Sequence, residues 1–324
     1  MNVEKGNQAQ FALVTGAAAR VGKAIALHLA EMGFDIGLNC FTSRSEAEST
    51  KLEIESLGRK VYLLQADLRE PQEIEKMFHQ VSEAGVNFTL LVNSASVMPH
   101  SDLMEITVQE WDDVINLNLR AVWLMCQQAG RIMQPGGVIL NISDAGASQQ
   151  WTRYGAYAIS KNGVNALTRL MAKQLAPSVR VNGIAPGLLL KPSSMTDEEW
   201  NKLAERVPTR SAGDMDSFLS TIDLLIDNEY ITGETITLNG GDTLGLAEWK
   251  NPARSFQLSS PSCSLALLPC SRSCFSAARV WRITWAAPWI GDGASLLASL
   301  STFSFGAETS LGHTLTIRHR QQVF

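Results

Sequence analysis

The segment Asn141–Lys161 reads NISDAGASQQWTRYGAYAISK. In it Tyr157 and Lys161 stand four residues apart, which sets a phenol and an ammonium one turn apart on a helix. Asp144 precedes the tyrosine by thirteen residues. A weak acid, a cation and a carboxylate are the side chains of proton-transfer chemistry. A hydroxyl at the aspartate position would suit a ketone oxygen, which needs only a neutral hydrogen bond. A carboxylate suits a substrate with N–H donors, or a ring nitrogen that must take a proton. The plainer alternative is an Asx-turn or helix cap at a strand end. Ser143 is one step off and, on a strand, should point the other way. Tyr154 has no lysine four residues on and does not form a second pair.

Something must hold these groups beside a ligand, and the first thirty residues suggest what. FALVTGAAARVGKAIALHLAEMG reads as strand, turn and helix. Phe11 to Val14 forms the strand. Apolar Val21, Ile25, Leu29 and Met32 recur at helical spacing, and Gly33 caps the end. Gly16 and Gly22, with Arg20 and Val21 between them, allow a close backbone approach at a helix N-terminus, where a pyrophosphate is favoured. The spacing is not G-x-G-x-x-G, and a plain strand–helix junction reads the same way. The second strand ends in Asn39, and no carboxylate follows before Glu46, whereas Arg44 is at hand. NAD-binding sheets place an acidic residue there. Arg20 and Arg44 at a 2′-phosphate favour NADP(H) instead, the alternative for Arg44 being a solvated loop position.

Helix and strand patterns then alternate: EAESTKLEIESLG, KVYLLQAD, QEIEKMFHQVSEAG, FTLLVNSA, a helix from about Glu110 to Met133, GGVILNIS, a helix from about Tyr154 to Leu175, and VRVNGIAP. This alternation predicts an α/β fold of Rossmann type, a single-domain, doubly wound parallel sheet with right-handed crossovers. Asp67, Asn93, Asp144 and Pro186 close their strands on one rim, where such sheets bind ligands. Between Gly187 and Arg210 the chain is polar, with a short helix predicted from Asp197 to Arg206.

Thr15–Gly22, Asp67, the NSAS from Asn93, Asn118 in INLNL, Tyr157 with Lys161, Pro186–Gly187 and YITGETITLNGG ending at Gly241 resemble, in order and spacing, the short-chain dehydrogenases/reductases. The resemblance covers about residues 8–248, the expected NADP-binding reductase domain. It implies that Tyr157 is the acid/base during hydride transfer. A free phenol titrates near ~10; Lys161 and an oxidised nicotinamide would favour the tyrosinate, and Lys161 would also hold the nicotinamide ribose. Asn118 would kink its helix and hold a relay water. Asp67 with Leu68 would meet the adenine, Asn93, Ser94 and Ala95 would line the cleft near the adenosine ribose, and Pro186 and Gly187 would close it.

Serine is the family's usual residue where Asp144 stands. The aspartate and the T-G-x-x-x-R-x-G turn are similar to the pteridine reductase and dihydromonapterin reductase branch. On that resemblance Arg20 contacts pyrophosphate and pterin, and Tyr157 with Asp144 delivers a proton to a ring nitrogen. That branch usually carries an aromatic residue just after N-x-A-S. Here Val97-Met98-Pro99 follows, so that Met98 packs on the substrate without stacking. The alternatives are a reductase of 3-oxoacyl thioesters or small ketones, and a dinucleotide-binding sensor without turnover. Trp200 either packs a substrate lid on the body or faces the substrate. Family members commonly assemble through the helices that carry Asn118 and Tyr157, implying a homo-tetramer or dimer.

The chain has 324 residues, 45% hydrophobic and 18% charged, enough for a substantial core. A net charge of −5 argues against nucleic acid or anionic membrane as partner. The polar N-terminus and the lack of a long apolar run predict neither signal peptide nor membrane helix. Cys40 and Cys126 sit in apolar surroundings, as reduced thiols of a cytoplasmic protein. No metal is expected. Composition shifts near Trp249: residues 250–324 carry +5, are rich in Ser, and contain Cys263, Cys270 and Cys274 in no zinc spacing. The expectation there is a poorly ordered, non-native extension without catalytic role, or else an accessory segment.

Overall fold

Seven strands, all paired in parallel, form one sheet in the order β3-β2-β1-β4-β5-β6-β7. They are β1 (Gln10–Val14), β2 (Asp35–Cys40), β3 (Val61–Gln65), β4 (Asn87–Asn93), β5 (Gly137–Ile142), β6 (Val179–Pro186) and β7 (Thr235–Leu238). The computed structural model describes residues 9–100, 102–149 and 151–244. The expectation for residues 250–324 lies outside the described residues. No described helix is long and apolar enough to cross a membrane.

Side chains on a strand alternate between faces, and each face here has its own core. Phe11, Leu13, Phe88, Leu91, Ile139 and Val181 share one. It is covered by α3 (Pro71–Glu83), α5 (Ala121–Ile132) and α6 (Gly155–Leu175). Ala12, Val14, Leu38, Val92, Leu140 and Ile184 share the other, under α1 (Arg20–Glu31), α2 (Arg44–Ser56) and α8 (Met215–Asp227). Both faces are buried, so the central strands read as continuous apolar runs rather than as alternating ones.

Most predicted elements lie within a residue or two of their expected ends, and Gly33 (φ +100°) follows α1 as expected. Met32, expected on the apolar stripe of α1, is exposed instead, because the buried stripe runs through Ile25, Ala26, Leu29 and Ala30. The helix expected at Glu110 begins earlier, as α4 (Val108–Ile115), where Thr107 and Glu110 form a reciprocal capping box. It reaches α5 through a π-helical turn, Asn116–Arg120. The lid helix, α7, ends at Ala204 rather than Arg206. Sequence reading missed α8, although Asp214 caps it and Phe218, Ile222 and Leu225 form its buried stripe.

The turn between β1 and α1 is packed backbone to backbone. Gly16 has φ +62°, and a Cβ on Gly22 would lie 2.2 Å from the Gly16 carbonyl oxygen. Backbone cannot yield as a flexible side chain can. Gly22→Ala should therefore cost roughly 2–4 kcal/mol of unfolding free energy by chemical denaturation. Gly58→Ala, at φ +78° with nothing within 4 Å, should cost only the left-handed backbone penalty of about 1–2 kcal/mol. Equal stability of the two variants would contradict this packing.

Candidate active site

Strand order reverses between β1 and β4, and a cleft of about 1360 Å³ opens beyond the carboxyl ends of the strands there. The Gly16 turn forms one wall. Thr15 Oγ1 accepts the N–H groups of Ser94 (2.9 Å) and Ala95 (3.0 Å), which straps the end of β4 to the end of β1. A Cβ on Gly16 would come within 3.0 Å of Ala95 Cα. The turn thus leaves bare backbone facing the cleft, together with Val21, Gly22, Ser94 and Ala95. Arg20, exposed on the same wall, adopts φ +53°, a conformation uncommon outside glycine. Leu68, Pro186, Gly187 and Met98 also line the cleft, as expected.

Asn39 and Asp67 line the cleft with partners of their own, whereas Arg44 and Asn93 are not among the described residues lining it. Asn39 is buried: its Oδ1 accepts the Gly16 N–H (3.3 Å) and its Nδ2 donates to the Leu64 carbonyl (3.0 Å), so its amide braces the turn. Arg44 Nη1 donates to Gln65 Oε1 (2.8 Å) and its Nη2 lies 3.5 Å from Glu48; among the described residues lining the cleft, Thr42 and Ser43 take its place. Asp67 is gripped by Arg69, with Nε–Oδ1 3.0 Å and Nη2–Oδ2 2.7 Å, and the guanidinium holds the carboxyl below its usual range. Arg69 lies 5.6 Å from the centre of the Phe41 ring and lines the cleft; sequence reading had missed it. Asn93 points away from the cleft into the core. Its Nδ2 donates to Asn141 Oδ1 (2.9 Å), and Asn141 donates to Thr168 Oγ1 (3.0 Å), a buried polar ladder that joins β4, β5 and α6.

At the other end stand the groups singled out first. Asp144 follows β5, and Tyr157 and Lys161 lie on the first turns of α6. The Tyr157 hydroxyl donates to Asp144 Oδ2 at 2.6 Å, and the Gly146 N–H donates to Oδ1 at 2.6 Å. Lys161 is buried; its Nζ donates to the Ile142 carbonyl (2.8 Å) and sits 5.7 Å from the centre of the Tyr157 ring. Ser143, pointing the other way as expected, donates to the Lys161 carbonyl (3.2 Å).

The protein's own groups favour the neutral phenol. Burial, then the charge of Asp144 and the bond to it, push the phenol above its ordinary value, so it stays protonated. Burial likewise raises Asp144 and lowers Lys161 to about 8. With the ammonium directed at a carbonyl and the carboxylate at the hydroxyl, the carboxylate prevails. The pair is thus a proton donor backed by an acceptor. Each carboxylate oxygen has two lone pairs and has spent one, so the carboxylate can accept further N–H groups.

Asn118 lies in the π turn, the helix irregularity expected of it. Its amide is engaged with backbone: Oδ1 accepts the Val97 N–H (2.9 Å) and Nδ2 donates to the Val97 carbonyl (2.8 Å) and Ser160 Oγ (3.2 Å). It thereby anchors the segment leading to Met98. Trp200 on α7 lines the cleft rather than only packing its helix on the body. Trp151, unremarked in the sequence, lines it beside Asp144 and Tyr157.

A family model described as enoyl-(acyl carrier protein) reductase matches residues 16–243. The chain is 35% identical over 239 residues to a 3-oxoacyl-(acyl-carrier-protein) reductase of Staphylococcus aureus strain N315, covering 71% of this chain and 96% of the relative. It is 34% identical over 246 residues to the 2-dehydro-3-deoxy-D-gluconate 5-dehydrogenase of Escherichia coli K12, covering 72% and 95%. Among solved structures, the FolM alternative dihydrofolate reductase 1 of Brucella canis, complexed with NADP, is similar with a TM-score of 0.69 at 29% identity, over 76% of this chain and 97% of that one.

Lys161 offers a test of the site's electrostatics. It titrates at about 8 in the fold against an ordinary 10.5. Between those values the unfolded chain holds a proton that the folded chain has released, so this group's contribution to stability rises with pH. Denaturation across that window should show the native sequence gaining stability relative to Lys161→Met as pH rises. Parallel curves would mean that the ammonium is not held in a dry site.

Proposed function

The chain belongs to the short-chain dehydrogenase/reductase family, and on that basis we propose that residues 8–248 form an NADPH-dependent reductase of a dihydropterin-like heterocycle. The observation that carries this reading is the 2.6 Å bond between the Tyr157 hydroxyl and Asp144 Oδ2 at the cleft wall. A ketone oxygen presents lone pairs and would meet those of the carboxylate. A pterin presents N–H groups that the carboxylate accepts, and a C=N nitrogen that takes a proton. The likeness to a dihydrofolate reductase complexed with NADP supports the same choice.

The cradle fits a dinucleotide. The Gly16 turn and the N–H groups at the start of α1 suit a pyrophosphate, and Arg20 offers it a cation on the same wall. When bound, NADPH supplies the hydride. Tyr157, kept neutral by burial and by Asp144, supplies the proton to nitrogen. Asp144 accepts substrate N–H groups through its spare lone pairs and keeps the phenol oriented. Lys161, with one donor on Ile142, keeps two more for ribose hydroxyls. Asn118 acts through Val97, fixing the wall that ends in Met98.

A second reading, reduction of a 3-oxoacyl thioester or small ketone, is favoured by the 35% identity to a 3-oxoacyl-(acyl-carrier-protein) reductase and by the lack of an aromatic residue at 97–99. NADPH oxidation with dihydropterins and with acetoacetyl thioesters separates the two. The expected result is turnover of a dihydropterin, lowered about 10²–10⁴-fold in Tyr157→Phe. Asp144→Ser should lose most of that activity while gaining thioester turnover. Thioester turnover alone in the native sequence would sink the pterin reading.

The reading extends to a homo-tetramer or dimer. Trp123 on α5 and Ile159 and Leu170 on α6 are exposed apolar side chains, 43%, 45% and 66% accessible, on the two helices expected to assemble. Light scattering should give at least twice the monomer mass, and Leu170→Glu should shift it towards the monomer.

A further inference from the structure

We propose that Trp151 is the specificity-determining aromatic wall of the substrate site, doing for a planar heterocycle what the segment Val97-Met98-Pro99 cannot. The inference rests on the dihydropterin reading and names the residue that would make the ring contact.

Four observations converge on it. Trp151 is half-buried and lines the cleft with Asp144, Tyr157 and Met98. Its six-membered ring lies on the turn that follows Asp144: a Cβ on Gly146 would meet Trp151 Cη2 at 2.3 Å, so the indole occupies space that only a glycine leaves. Gly146 is the same residue whose N–H holds Asp144 Oδ1 (2.6 Å), which ties the ring to the carboxylate's position. At its other edge Nε1 donates to Gln149 Oε1 (2.7 Å), and Gln149 in turn donates to Asp242 Oδ2 (2.6 Å).

Tyr154 packs edge-on against the indole at 6.3 Å between centroids, and His100 packs edge-on against Tyr154 at 5.7 Å. The indole is thus pinned by a hydrogen bond, by a bare backbone and by a second ring. A side chain so fixed presents an apolar surface at little entropic cost. An indole lining the cleft beside a carboxylate that accepts N–H groups matches a flat, amino-substituted ring. It offers nothing comparable to a flexible acyl chain. Gln149 is a positioning residue that acts through the indole.

The test uses the full chain with NADPH, 7,8-dihydropterin substrates and acetoacetyl-CoA. Trp151→Leu keeps an apolar volume without a π-face, and Trp151→Phe keeps the π-face. Leu should raise KM for the dihydropterin by about 3- to 10-fold, the range of one aromatic pair. In the same variant kcat and the Kd for NADPH should each stay within about 2-fold, and added to Asp144→Ser, which should turn over acetoacetyl-CoA, it should leave the KM for that thioester within about 2-fold. Phe should restore most of the dihydropterin KM. Equal effects of Leu and Phe, or equal effects on both substrates, would reduce Trp151 to packing and overturn the inference. An unchanged KM in both variants would do the same while the native sequence still turns over dihydropterin. Inactivity of the native sequence towards every dihydropterin would instead remove the underlying reading, and the inference with it.

Discussion

The site is organised around one shared proton, held between the end of a strand and the start of a helix. The Tyr157 hydroxyl and the Asp144 carboxylate meet at 2.6 Å in a place where burial raises both groups above their ordinary values. In a medium of low effective dielectric, charge on the carboxylate is felt strongly by the phenol, and a second negative charge beside it is disfavoured. Lys161 would reverse that balance if its ammonium met the phenolic oxygen. It is instead drawn to the carbonyl of Ile142, one residue before Ser143 on the same strand end. Position of the cation, and not its presence, decides whether the phenol keeps its proton.

Such a balance requires the strand end and the helix start to keep their spacing, and buried amides do that work. The Asn93–Asn141–Thr168 ladder crosses from β4 through β5 to α6, behind the proton pair. Asn118 fastens the segment after β4, Asn39 fastens the glycine turn to β3, and Thr15 straps β1 to β4. Together they tie the strand ends to the loops and the helix around the rim. A buried amide that lost its partner would incur a desolvation penalty of roughly 1–3 kcal/mol, so the rim is fixed by the penalty for leaving its donors unmet. Hydrophobic burial supports the sheet, but it does not specify where a carboxylate points.

The strands and main helices were legible because local patterns agree with the global fold. Apolar runs bounded by glycine gave β1, β4 and β5, and Tyr157 with Lys161 was legible because helical spacing alone sets their relation. The Thr107–Glu110 capping box was there to be read and would have corrected the start of α4. Side-chain direction was not legible. Asn93 ends its strand on the correct rim yet faces the core, and Arg44 sits at the expected strand end yet turns to Gln65. Both outcomes depend on partners distant in sequence, Asn141 and Gln65, which no local pattern names. Arg69 and Trp151 were missed for the converse reason. Neither belongs to a motif, and each gains its place through a near neighbour in sequence, Asp67 or Gly146, by a contact that no periodicity signals.

This division explains why similarity does not rank the substrates. On the proposed reading the glycine turn, Asn118, Tyr157 and Lys161 serve transfer to any acceptor, which agrees with a likeness to oxidoreductases of unlike substrates. Discrimination must come from the few groups that touch the acceptor and nothing else. In this cleft the proposed ones are a carboxylate with lone pairs to spare, a methionine where a ring could have been, and the indole of Trp151. A site built to pair with N–H groups rejects an acceptor lacking them more strongly than an apolar wall rejects a change of shape, because the unmet polar group is left dry. On the proposed reading Asp144 sets the class of substrate, and the indole of Trp151 reinforces the same choice.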